Sequence, residues 1–257
     1  MSSTGKRIRV AVNGYGVIGK RVADAVVQQD DMQLIGLVDV VADWRPRVAI
    51  RRGLPLFVAT PEHAASMRKL DLPVTGTLED LLGQVDVVVD CTPSNVAAHN
   101  VEMYRRRNVR FIVQGGEKHA VTGHSFVAEA NYASAVGREA TRVVSCNTTS
   151  IVRTLAALKR ATLLRKARGT LLRRATDPWE SHESGIMNTL VPEAEIPSHQ
   201  GPDARTVDPE LDVITMAVKV PETLAHLHYW TVELTRPASK EEVLAAFRTS
   251  TRIMLIR

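Results

Sequence analysis

The sequence predicts an α/β chain. An N-terminal, doubly wound parallel sheet is followed by a smaller α+β domain whose sheet is mainly antiparallel and incomplete. Three observations carry this expectation. A glycine-rich turn joins the first apolar strand to a helix. Short apolar strands alternate with helical segments through the first half, the pattern of strand–helix–strand units with parallel pairing. The second half opens on a long helix and ends in strand-like alternation. At 257 residues the chain has room for two ordinary domains, expected at 1–145 and 146–257.

The first strand is RIRVAV (7–12), and NGYGVIGKRVADAVV follows it directly. Gly14, Gly16 and Gly19 spell GxGxxG at a strand-to-helix junction, the context that gives this short motif a mechanism. The first glycine permits the tight turn, the second lets backbone approach a pyrophosphate, and the third lets helix pack on strand. Val17 and Ile18 open the helix whose N–H groups and dipole face that anion. The fold is therefore Rossmann-like, and a dinucleotide is the expected ligand. The second strand, QLIGLVD, ends at Asp39, twenty residues after Gly19. An acid there accepts ribose hydroxyls and repels a 2′-phosphate, which favours NAD while leaving NADP as the second option.

DVVVDCT (86–92) reads as a buried strand containing Cys91, NVAAHNVEMYRRR as a helix, and VRFIVQGG (109–116) as a further strand. Ligands bind beyond the carboxyl ends of such strands, which places Thr92, Pro93, Gly115 and Gly116 at the cofactor crevice.

In RVVSCNTTS (142–150), Cys146 lies at the start of a helix expected over 151–165, IVRTLAALKRATLLR. Helix-start N–H groups and dipole favour a thiolate, and Asn147, Thr148 and Thr149 supply capping oxygens and donors. The residues alone leave two readings side by side: a small apolar residue closing a strand, or a nucleophile. A nucleophile needs a base. His226 and His228 in TLAHLHYWTVEL (223–234) fall on one face of a strand, and His199 sits in the turn-rich IPSHQGPD (196–203), suited to an anion. No third ligand of matching spacing accompanies the paired histidines, so no metal is expected.

The net charge is +5, from 33 Lys+Arg against 28 Asp+Glu, which permits anionic ligands. No aromatics interleave with the basic clusters, so nucleic-acid binding by stacking is not expected. No apolar run approaches membrane-spanning length, and MSSTGKR lacks the apolar core of a secretion signal. Two cysteines form no disulfide framework, which suits a reducing cytoplasm.

Taken in order, NGYGVIGKRVADAV, VQGGEKH, RVVSCNTTS, LLRRATDP, IPSHQGPD and TLAHLHYWTVEL resemble the archaeal-type glyceraldehyde-3-phosphate dehydrogenases over nearly the whole chain. The resemblance implies phosphorylating oxidation of D-glyceraldehyde 3-phosphate to 1,3-bisphosphoglycerate with NAD(P), in glycolysis or gluconeogenesis. It makes Cys146 the nucleophile and His226 its base. Arg174 is implied to contact cofactor or phosphate, and His199 and Gln200 to face substrate. Ser145, Asn147, Thr148 and Thr149 would surround the substrate, and a homotetramer is expected. Three positions depart from the family pattern: Gln200 stands where a second histidine is usual, Ser150 where glycine is usual, and Asp39 where many relatives carry lysine or threonine.

Family members also continue well beyond STRIMLIR, whose IMLIR reads as an unpartnered strand. A chain ending there is expected to be weakly stable, aggregation-prone or reliant on partner subunits, with impaired turnover. Two other readings stand beside this one. They are a non-catalytic relative that binds nucleotide or nucleic acid, and a semialdehyde or acyl-phosphate reductase with the same cysteine chemistry.

Overall fold

The computed structural model describes residues 6–114, 116–175, 189–222 and 224–256. They fall into two compact units, one of residues 1–125 with 135–143 and one of residues 126–134 with 144–257.

The first unit alternates strand and helix: β1 (Ile8–Asn13), α1 (Val17–Val27), β2 (Met32–Asp39), α2 (Trp44–Arg51), β3 (Leu56–Val58), α3 (Pro61–Arg68), β4 (Gly76–Thr77), α4 (Leu78–Leu82), β5 (Val87–Asp90), α5 (Val96–Arg106) and β6 (Arg110–Val113). Then come β7 (Ser125–Phe126), α6 (Ala128–Ala135), which belongs mostly to the second unit, and β8 (Ala140–Val143). The sheet order is β4-β3-β2-β1-β5-β6-β8-β7, parallel from β4 through β8. Strands buried on both faces must be apolar throughout, and Ala11, Val38, Phe57, Val88, Phe111 and Val113 meet this in one cluster with Leu81 and Val101. Strand order reverses between β1 and β5, where folds of this kind bind their ligand.

A buried polar network holds that switch point. Asp90, fully buried at the end of β5, accepts hydrogen bonds from Asn13 Nδ2 (3.2 Å), Asn100 Nδ2 (3.0 Å) and the Tyr104 hydroxyl (2.5 Å). The Thr92 N–H (3.0 Å) and hydroxyl (2.5 Å) also donate to it. Removing the carboxylate orphans several buried donors at once. Asp90→Ala is therefore expected to cost about 3 kcal/mol or more in urea unfolding, with Asp90→Asn costing less. Equal stability of Asp90→Ala and the parent chain would contradict this account.

The second unit contains α7 (Cys146–Arg160), β9 (Leu164–Arg174), β10 (Val191–Pro192), α8 (Gln200–Arg205), β11 (Val213–Val220), β12 (Leu227–Leu234) and α9 (Lys240–Arg248). Its sheet runs β10-β11-β9-β12 and is mixed: the outer pairings are antiparallel and the central β11–β9 pairing is parallel. Ile151, Val152 and Leu155 of α7 pack with Ala167, Leu171, Val213 and Ala217 on one sheet face, together with Ala204 of α8. At Gly169 an added Cβ would lie 2.5 Å from the Trp230 ring across the β9–β12 pair, so this inner face closes only over glycine.

Three expectations are corrected here. The helix begins at Cys146 and ends at Arg160, where Thr162 takes a left-handed φ of 57° and turns the chain into β9. The leucines at 163 and 164, spaced for helix or strand alike, belong to that turn and strand. Cys91 lies one residue past β5 and is half-buried rather than inside the strand. The run 253–256 forms no strand: Ile253 N–H closes a turn on Ser250, and Met254 and Ile256 are exposed. An apolar run becomes a strand only where a sheet edge accepts its backbone, and none does so here.

Candidate active site

The glycine turn is built as its sequence demands. Gly14 holds φ at 90°, and a Cβ there would lie 2.9 Å from the Cys91 carbonyl, against the end of β5. A Cβ at Gly19 would stand 1.8 Å from the Gly14 carbonyl oxygen, so α1 approaches β1 this closely only as glycine. Gly16, the N-cap of α1, makes no side-chain cap bond and has open space within 4 Å of its Cβ position. An open cradle beside uncapped helix N–H groups, at the switch point, fits the pyrophosphate of a dinucleotide. Val17 and Ile18 form its first turn, and Thr92, two residues past β5, borders the glycine turn with its backbone nitrogen 3.0 Å from the Cβ position of Gly14. Gly116 has φ of 87° and accepts from Ser94 Oγ at 3.4 Å, whereas Gly115 lies outside the described residues.

Asp39 is buried and spends its carboxylate on main chain. Oδ2 accepts from Tyr15 N–H (3.0 Å), and Oδ1 from Val40 N–H (2.7 Å) and Val41 N–H (2.9 Å). It thus braces the glycine turn against the end of β2, a role that spacing alone did not reveal. The nearby cation Arg45 is committed to Asp43, with Nε donating at 2.8 Å.

In the second unit, Ser145 caps α7, its Oγ accepting from Thr148 N–H at 3.2 Å. The exposed Cys146 Sγ stands 3.2 Å from His226 Nε2. Arg174 N–H, at the end of β9, donates to His226 Nδ1 at 3.1 Å. With that lone pair taken, the neutral ring carries its proton on Nε2, the nitrogen that faces sulfur. His228 Nε2 lies 2.9 Å from Asn147 Oδ1, and Asn147 Nδ2 lies 3.5 Å from His226 Nε2.

The structure therefore gathers Cys146, Asn147, His226, His228 and the Arg174 backbone into one constellation. Thr148 is fully buried, with its hydroxyl donating to Asp203 at 2.9 Å, and Thr149 donates to the Val144 carbonyl at 3.3 Å. His199 and Gln200 form a second cluster. His199 Nδ1 lies 3.0 Å from Glu193 Oε2, and Arg173 pairs with Glu193. Gln200, fully buried, accepts from Arg173 Nη1 (3.0 Å) and donates to Ser198 Oγ (2.7 Å) in the amide orientation that satisfies both ends. Among the described residues no three His, Cys, Asp or Glu side chains converge as a metal site would require.

A dinucleotide cradle in one unit and a cysteine–histidine pair at a helix start in the other define an oxidoreductase of the nicotinamide-dependent class. Comparison makes this specific. Residues 145–256 match "Glyceraldehyde 3-phosphate dehydrogenase, C-terminal domain", and residues 8–148 match "Dihydrodipicolinate reductase, N-terminus". The glyceraldehyde-3-phosphate dehydrogenase of Methanothermobacter thermautotrophicus is 45% identical over 251 residues, 97% of this chain and 74% of that one. Those of Thermococcus kodakarensis (45%) and Archaeoglobus fulgidus (44%) also align over 97% of this chain, covering 73% and 74% of their own. The chain belongs to the glyceraldehyde-3-phosphate dehydrogenase family. Among solved structures, aspartate semialdehyde dehydrogenase II from Vibrio cholerae, complexed with ASA, shares the fold with a TM-score of 0.69 at 15% identity. That match covers 98% of this chain and 80% of the other. No described helix is long and apolar enough to cross a membrane.

Proposed function

We propose that the chain oxidises D-glyceraldehyde 3-phosphate with inorganic phosphate to 1,3-bisphosphoglycerate. The observation that carries this reading is Cys146 Sγ facing His226 Nε2 at 3.2 Å, on the first turn of α7. The sulfur, as thiolate, adds to the aldehyde carbon and forms a hemithioacetal whose oxygen carries the negative charge. His226 Nε2–H and the Asn147 amide supply donors where that charge develops, which is worth most in a preorganised site. A nicotinamide dinucleotide held by the glycine turn of Gly14, Gly16 and Gly19 would supply the acceptor for the hydride lost from the hemithioacetal carbon. The resulting thioester is cleaved by phosphate, which takes the acyl group and returns sulfur to Cys146. Ser145 and Thr148 serve by fixing the helix start, and Thr149, His199, Gln200 and the Arg174 side chain are the groups we assign to the anionic ends of substrate and cofactor.

Reduction of NAD or NADP in the presence of glyceraldehyde 3-phosphate, with and without phosphate, tests the reading. Phosphate-dependent turnover supports it. Turnover with a semialdehyde and none with the triose phosphate would move the assignment to the related reductases.

For the cofactor we propose NAD over NADP. At the end of β2 the Asp39 carboxylate is hydrogen-bonded by main-chain N–H groups alone among the hydrogen bonds described, and Arg45 gives its own hydrogen bonds to Asp43. A 2′-phosphate brought there meets a like charge, a cost of several kcal/mol where solvation is poor. Asp39→Asn keeps the Oδ1 acceptor and removes the charge, so the kcat/KM ratio of NAD to NADP should fall by about tenfold or more, equivalent to about 1.4 kcal/mol. Tighter NADP binding by the unmodified chain would reverse this preference.

We also propose a homotetramer that uses the outer face of the second sheet. There Leu227, Leu172 and Val218 form one cross-strand row and Tyr229, Thr170 and Met216 the next, with Tyr229 63% exposed. Contiguous exposed apolar surface of this kind marks association. Sedimentation of a single monomeric species at working concentration would exclude it. The cysteines are free thiols, which fits a reducing cytoplasm.

A further inference from the structure

We propose that His228, which no step above uses, is a positioning residue that locks the Asn147 amide so that its N–H groups face the hemithioacetal oxygen. The inference rests on the function proposed above. His228 lies opposite Leu171 in the β12–β9 pair, so its side chain shares the inner sheet face against which α7 packs. Its ring meets Trp230 edge-on at 6.1 Å.

Asn147 is buried one residue after Cys146, and an amide there can sit either way round. Its Oδ1 only accepts, so the contact at 2.9 Å requires a proton on His228 Nε2. Flipping the amide would set its N–H groups against that same N–H, donor to donor. The observed orientation turns Nδ2 towards the reacting pair, 3.5 Å from His226 Nε2.

Because Arg174 occupies His226 Nδ1, Nε2 is also a donor. Asn147 Nδ2 and His226 Nε2 are then two donors side by side and not bonded to each other, both placed for a third, negatively charged atom next to Sγ. A flipped Asn147 would present oxygen lone pairs to that atom instead. Burial lowers the His228 pKa, which keeps the ring neutral over a wider pH range, and its Nε2–H donates in either protonation state.

Two substitutions separate donation from packing. His228→Phe keeps a planar ring and removes the donor, whereas His228→Gln retains an N–H within reach of Asn147 Oδ1. Loss of a whole oxyanion donor costs about 100- to 1,000-fold in kcat. An amide that is misaimed part of the time should cost less, about 10- to 100-fold in His228→Phe, with KM for the aldehyde nearly unchanged and His228→Gln recovering most of the loss. Combined with Asn147→Ala, His228→Phe should add little further loss, since both act through one amide.

The proposal is overturned if His228→Phe, folded by thermal melting, turns over like the parent, if His228→Gln is as slow as His228→Phe, or if the double variant shows the product of the single losses. Nitrogen-15 spectra of His228 give a readout independent of turnover. A neutral ring protonated at Nε2 supports the proposal, and one protonated at Nδ1 overturns it. Absence of phosphate-dependent turnover in the parent would overturn the proposed reaction, while the tautomer still decides the His228–Asn147 lock.

Discussion

Cys146→Ser is expected to abolish phosphate-dependent oxidation of glyceraldehyde 3-phosphate, with kcat falling by about four decades or more, as when other covalent nucleophiles are removed. Oxygen in place of sulfur leaves a group that stays protonated at neutral pH and adds poorly to an aldehyde. Nothing in the local fold opposes the change, since Cys146 is exposed and the Ser145 cap and α7 do not depend on its side chain. The second cysteine provides the internal control. Burial, with the Asp90 charge adding to it, pushes the Cys91 thiol up to about 12, so it stays protonated at neutral pH. Iodoacetamide should therefore label Cys146 well before Cys91 in the folded protein, as read by peptide mass. Comparable rates at the two sites, or a Cys146→Ser enzyme with ordinary turnover, would remove the case for a cysteine nucleophile.

The parts of this site that were legible in the sequence are those written in local spacing. GxGxxG at the end of an apolar strand dictates a turn that only glycines fit, and the structure finds the Gly14 and Gly19 contacts that enforce it. Alternation of short apolar runs with amphipathic segments predicts the parallel sheet. The period-two pattern of TLAHLHYWTVEL puts His226 and His228 on one side, and both histidines do reach Asn147.

What the sequence left open depends on partners far away along the chain or on a backbone turn that no side chain announces. Asp39 reads as a free strand-end acid until the fold brings the Tyr15 N–H to it. Leu163 and Leu164 satisfy helical and strand spacing equally, and the left-handed Thr162 decides between them. Asp90 looks like another polar strand end, yet folding collects around it donors from β1 and α5. The bond that orients His226 had no signal in any side chain, because the Arg174 backbone N–H makes it.

That backbone contact sets the terms of the second large effect. His226→Asn should lower kcat by about 100-fold or more, the usual worth of a well-placed imidazole, with His228 substitutions costing less. The pattern across substitutions says which property of the ring matters. Arg174 N–H donates to Nδ1, so the resting ring faces sulfur and substrate as a donor at Nε2 and is poorly arranged to take up a second proton. The reaction balances without such uptake, since a thiolate that adds to the aldehyde gives an alkoxide needing only hydrogen bonds until hydride leaves. Gln at position 226 extends an amide N–H to about where Nε2–H stands, but it cannot accept a proton at neutral pH. Asn, one carbon shorter, reaches only the Nδ1 position. A donor role therefore predicts His226→Gln to be clearly faster than His226→Asn at saturating aldehyde, with both variants melting like the parent. If the two are equally slow, proton uptake by the ring is what the reaction needs, and the tautomer imposed by Arg174 has been misread.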